Sequence, residues 1–151
     1  MSADLILSIC NTFVLPGWLL LVFLPRWKWT LGLISAGIIP LVIGIVYLAL
    51  MVSQISNWPE GAGFGSVAEL MAGFSNPYIL VAGFIHYLAF DLFIGCWEVR
   101  DSQKNDIPHW MVVPCLIPTF LAGPIGLAIY LILRAIRMRK FEVFPPLKAV
   151  A

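Results

Sequence analysis

Ionisable residues are what this sequence has least of. Nine Lys and Arg and eight Asp and Glu are spread over 151 residues, so 11% of the chain is charged and 61% is apolar. Soluble domains carry about 25% charge. A water-covered globule is therefore not expected, and a disordered chain is excluded. The net charge of +1 implies no polyelectrolyte partner, and the only dense basic stretch is a short C-terminal tail. Nucleic acid is not expected as a partner. Cysteine is sparse as well. Cys10, Cys96 and Cys115 are odd in number, lack CxxC spacing, and lie in or beside apolar runs. They read as small apolar filler, with no disulfide and no metal site expected. The chain has no GxGxxG, Walker loop, HExxH or GxSxG. Met1-Ser2-Ala3-Asp4 has no basic n-region and no A-x-A follows Leu24. The first apolar run is thus expected to remain as a helix, not to be cleaved as a signal.

What the sequence does have is four long apolar runs, at 5–24, 31–52, 78–96 and 111–133. Each is about 20 residues, or roughly 30 Å as a helix, the thickness of a bilayer core. Without water to satisfy the backbone, such runs must be helices. The strand alternation of a β-barrel is absent. The expected fold is all-α: a polytopic membrane protein with four transmembrane helices in a single domain over residues 1–151. The lipid bilayer is its first partner. A short helix at 67–74 is expected to lie on the membrane surface. Ser66-Val67-Ala68-Glu69 matches a capping box before it, and Leu70, Met71 and Phe74 share its apolar face. Ser75-Asn76-Pro77 supplies a cap and a first-turn proline for the third span.

Orientation stays open. Four crossings would place Arg26, Lys28, Arg100 and Lys104 on one face and the five basic residues of the tail on the other. A re-entrant last segment, favoured by Pro114, Pro118 and Pro124, would place all nine on one face. The first count is too even to decide. Helix 2 carries Gly32, Ala36, Pro40 and Gly44 at a spacing of four, which reads as a close-packing seam.

The residues most able to carry chemistry are His86 and Asp91, near the middle of the third run. An ionisable group at that depth is functional by default. They are five residues apart, about 140° of rotation on an ideal helix, so they do not share a face. Tyr87 and Asp91 do. One reading has Asp91 handling protons. The other has it hydrogen-bonded to Tyr87 or another helix as interhelical glue. Asn11 and Thr12 form the polar spot of the first helix, where Pro16 leaves the Thr12 carbonyl without its usual donor. Thr119 sits between two prolines of the last run. Tyr47 can present a hydroxyl inward from the second. Asn11, Thr12, Tyr47, Tyr87 and Thr119 are accordingly the candidate ligand-binding residues.

Several of these residues carry a resemblance. Asn11-Thr12 with Leu15-Pro16, Pro25, Tyr47, Ile85-His86 with Asp91-Leu92-Phe93, and Pro124-Ile125-Gly126 occur in an order that resembles the abscisic-acid-deficient-four-like membrane proteins. These are the plant neoxanthin-synthesis family and its microbial relatives. The resemblance covers roughly residues 11–136. It implies an isomerase that converts an epoxidised carotenoid, a xanthophyll of the violaxanthin type, into an allenic one. Such a reaction needs no redox cofactor, so no cofactor is expected. It needs an acid at the epoxide oxygen and a base at a ring-adjacent C–H, roles that the resemblance would give to Asp91 and His86. A non-catalytic pigment-binding or accessory subunit of a larger membrane complex, with partner membrane subunits, is the alternative. Either places the chain in an inner, plasma or photosynthetic membrane.

Overall fold

The computed structural model describes residues 1–143, and all regular structure among them is helical. Helix α1 spans Ala3–Phe23 and continues through Pro16. A tight connection leads into a π-helical segment, Thr30–Ile38, which runs on as α2, Ile39–Ser53. Helix α3 is Val67–Phe74, α4 is Pro77–Lys104, α5 is His109–Ala122 and α6 is Pro124–Met138. Three helical stretches are long and apolar enough to cross a bilayer: Ala3–Phe23, Thr30–Ser53 and Pro77–Lys104. The chain is a membrane protein on that ground. Helix α4 lies at the centre, packed by α1, α2, α5 and α6.

The local rules act where the sequence places them. Ser66 Oγ accepts from the Glu69 N–H at 3.2 Å, and the Glu69 carboxylate accepts from Gly65 N–H at 2.9 Å, which starts α3. Asn76 Oδ1 accepts from the Tyr78 N–H at 2.9 Å ahead of α4. Phe74 folds back over Gly83, so α3 lies against the first turns of α4.

Three expectations are corrected. First, the third span does not stop at 96. It continues to Lys104 because Glu98 and Asp101 find buried partners and do not have to leave the helix for water.

Second, the seam of helix 2 makes no close approach. A Cβ at Gly32 or Gly44 would meet nothing within 4 Å. The Ile34 N–H bonds the Trp29 carbonyl at 2.9 Å, an i→i+5 pattern. A π-helix turns less per residue, so a spacing of four drifts off one face. Between α1, α2 and α4 the close approaches are at Gly17, against Leu92 and Ile39, and at Gly95, against the Trp18 ring.

Third, the last apolar run, expected as one helix over 111–133, is broken at Gly123 into α5 and α6. The break is a reversal. A Cβ on Gly126 would fall on the Thr119 backbone and hydroxyl, whereas an unbroken helix would separate those residues by about 10 Å. Both open ends of this hairpin lie at one end of the molecule. At the start of α5, His109 Nε2 is 2.9 Å from the carbonyl of Val22, near the end of α1. Towards the end of α6, Arg134 meets Asp101, near the end of α4. Helices α5 and α6 have 14 and 15 residues, about 21–22 Å each, too short to cross alone.

Candidate functional site

The face of α4 turned toward the α5–α6 hairpin carries Asp91, Glu98 and Asp101. A separation of seven residues is nearly two full turns, so Asp91 and Glu98 lie on one stripe. All three are buried, with Glu98 fully enclosed. The Thr119 hydroxyl lies 3.0 and 3.2 Å from the two Glu98 oxygens and 2.9 Å from the Cys115 carbonyl. One turn further along α4, Asp101 Oδ2 accepts from the Tyr130 hydroxyl and from Arg134 Nε, both at 2.7 Å. Asp101 and Arg134 are a buried ion pair, at 9% and 7% side-chain exposure. Buried charged groups need partners inside the protein, so these contacts fix the hairpin against α4.

Asp91 sits at the tip of the hairpin. A Cβ on Gly123 would coincide with its carboxyl, so the glycine makes room for the acid. The Tyr87 hydroxyl and the Gly123 backbone N–H both approach the carboxyl. Even so, Asp91 Oδ2 is buried without a hydrogen-bond partner of good geometry. Gly123 itself is buried, whereas Leu121, Pro124 and Ile125 around the turn are exposed.

Beside the tip, Asn11, Phe84, Tyr87, Leu88, Phe120 and Leu121 line a groove of about 530 Å³ between α1, α4 and α5. Phe120 also closes a second, wholly apolar hollow of about 260 Å³ along α1, which runs from Leu15 through Trp18 and Leu19 to Val22. The Phe120 ring meets that of Trp18 edge-on at 5.4 Å between centroids. From Asn11 to Val22 the two hollows follow α1 for roughly 16 Å.

The expected site residues separate into groups. Asn11 and Tyr87 line the groove, and Asp91 stands behind Tyr87. Thr119 is bound to Glu98 and does not line the groove. Thr12 is exposed and returns its hydroxyl to the Ser8 carbonyl at 2.9 Å. His86 is exposed and faces another way, with its ring 5.6 Å from Tyr47 on α2 and 4.5 Å from Phe90. The structure therefore joins Asn11, Tyr87 and Asp91 in one place and pairs His86 with Tyr47 in another. Glu98 was hidden by its position in the most polar stretch of the sequence, which reads as a loop. Its spacing of seven from Asp91 is the signal that would have found it.

A family model described as ABA DEFICIENT 4-like matches residues 5–130. No curated protein and no solved structure matches the chain.

Proposed function

The chain belongs to the ABA DEFICIENT 4-like family, and from that premise we propose that it binds an oxygenated carotenoid in the α1–α4–α5 groove and isomerises its epoxide end group to an allene. The observation that supports this most is the groove itself. It is mostly apolar, flanked by the flat rings of Phe84 and Phe120, and its few polar groups, Asn11 and Tyr87, lie beside a buried acid. Aromatic faces suit a conjugated chain. The Asn11 amide suits an oxygenated end.

The chemistry follows from the Tyr87–Asp91 pair. The Tyr87 hydroxyl gives its proton to the epoxide oxygen as one ring C–O bond breaks. The neighbouring vinylic C–H gives its proton to the Asp91 carboxylate, and its electrons complete the allene. Asp91 returns that proton to Tyr87. Nothing is oxidised or reduced, and substrate and product have the same mass. Acid–base assistance of this kind contributes about 10²–10⁴-fold. His86, on the α2 side of α4, would not serve the same centre.

The alternative, a pigment-binding subunit, is favoured by one feature. His86, Phe90 and Phe93 recur at helical spacing on the exposed side of α4, a surface suited to a neighbouring helix. Expression in a host that accumulates violaxanthin-type pigments separates the readings. Catalysis yields a product of unchanged mass and altered retention. Binding alone yields co-purified pigment without conversion. Colourless protein with an unchanged pigment profile defeats both.

A further inference from the structure

We propose that α5 and α6 form a re-entrant hairpin that dips to mid-depth and returns to the same membrane face. The chain then crosses the bilayer three times, and its basic face lies against the anionic headgroups of the cytoplasmic leaflet. Three observations carry this.

The first is the reversal at Gly123. The start of α5 and the end of α6 are anchored at the same end of the bundle, by His109 to Val22 and by Arg134 to Asp101. The second is the way α6 distributes its side chains. Tyr130 and Arg134 are buried against α4 and Gly126 against Thr119 of α5, while Ile125, Ile129, Ile132 and Ile136 are exposed. A helix lying on a water-facing surface would place these the other way round. An isoleucine stripe turned outward, with Tyr and Arg turned inward, is the pattern of a helix set in hydrocarbon.

The third is charge. With the hairpin re-entrant, Arg26 and Lys28 in the first connection share a face with Arg100 and Lys104 on the last turns of α4. Arg137, Arg139 and Lys140 reach that face from α6. The opposite face, reached by the start of α1, by 54–76 and by the start of α4, carries Asp4, Glu60 and Glu69 and, among the described residues, no Lys or Arg. Four crossings gave an even count. Three crossings give an unmixed one, and the positive-inside bias then puts the basic face in the cytoplasm. Each basic side chain near an anionic leaflet adds about 1 kcal/mol of attraction. The interfacial tryptophans Trp27, Trp29 and Trp110 lie on the same face, all exposed.

The inference does not depend on the identity of any ligand, and its test is independent of pigment conversion. Asn57→Cys, Lys28→Cys and Lys140→Cys each add one thiol at an exposed position, in a chain whose own three cysteines are buried. A membrane-impermeant maleimide is applied to intact cells and to lysed cells, with the parent chain as background. The expected result is labelling of Asn57→Cys in intact cells and of Lys28→Cys and Lys140→Cys only after lysis. If residues 28 and 140 label from opposite sides, the chain crosses four times and the hairpin is not re-entrant. If 28 and 140 both label in intact cells, the basic face is extracytoplasmic and the leaflet assignment is overturned.

Discussion

The Asp91 carboxyl fills the space that the missing side chain of Gly123 leaves open, so the acid and the turn of the α5–α6 hairpin define each other's position. Gly123→Ala puts a methyl group where the carboxyl lies. Overpacking of this kind costs about 1–3 kcal/mol. The expected outcome is a melting temperature in detergent several degrees below the parent. Asp91→Ala in the same chain removes the clash, so the double variant should recover part of the loss. A coupling of about 0.5–3 kcal/mol is the range for residues in contact. Strictly additive losses would show that the two do not meet.

Glu98 is tied to α5 through Thr119. In Glu98→Gln the amide can donate to the Thr119 oxygen while the Thr119 hydrogen goes to the Cys115 carbonyl, so the connection survives. The expected change in stability is under about 1 kcal/mol. Glu98→Ala removes the partner and leaves a hole where the side chain is fully enclosed. A loss of roughly 2–4 kcal/mol is expected from the cavity and the unmade bond together. Thermal melts of the two variants side by side check this, and equal losses would count against a hydrogen-bonding role.

The Asp101–Arg134 pair predicts a different ordering. Removing one partner of a buried pair strands the other charge, at about 3–5 kcal/mol. Arg134→Ala should therefore be the most damaging single change in α6. Tyr130→Phe removes one donor to Asp101 and should cost about 1–2 kcal/mol. Susceptibility of the α5–α6 hairpin to protease in detergent gives a second readout, because this pair holds its open end against α4.

Much of this architecture was legible in the sequence because its signals are local. The capping box at Ser66, the Asn76-Pro77 start of α4 and the apolar run lengths each depend on a few neighbouring residues. The prolines of the last run left a re-entrant segment open, but the position of the break, at Gly123, was not legible in the same way. Gly and Pro are tolerated in membrane helices, and the run 111–133 is apolar throughout. What turns the chain there is tertiary: a carboxyl on another helix that a side chain at 123 would displace. Glu98 and Asp101 were misplaced for a related reason. Charged residues at the end of an apolar run read as a water-exposed loop, unless the partners that would bury them, Thr119, Tyr130 and Arg134, are already known to face them. The seam at Gly32 and Gly44 failed through the helix type, since its spacing suits an α-helix and the segment starts as a π-helix. At the candidate site, the sharing of one face by Tyr87 and Asp91 follows from a spacing of four, while the nearness of Asn11 needed the lateral packing of α1.

The proposed chemistry predicts that binding and conversion separate on different residues. Tyr87→Phe and Asp91→Asn keep the shape of the groove wall and the turn, so co-purified pigment should persist. Conversion should fall by about 10²-fold or more, the contribution expected from acid–base assistance. Asn11→Leu should act in the opposite sense. It removes one hydrogen bond to an oxygenated end group and should reduce retained pigment by up to about tenfold. Leu19→Trp fills the apolar hollow along α1 and should displace pigment without touching the polar end. His86→Leu decides between the two sides of α4. His86 stacks near Tyr47 and Phe90 on an exposed face, so the turnover of this variant should match the parent. A variant that binds pigment normally and fails to convert it would restore His86 as the base. The substrate would then have to reach the α2 side of α4, away from the groove that Asn11 and Tyr87 line.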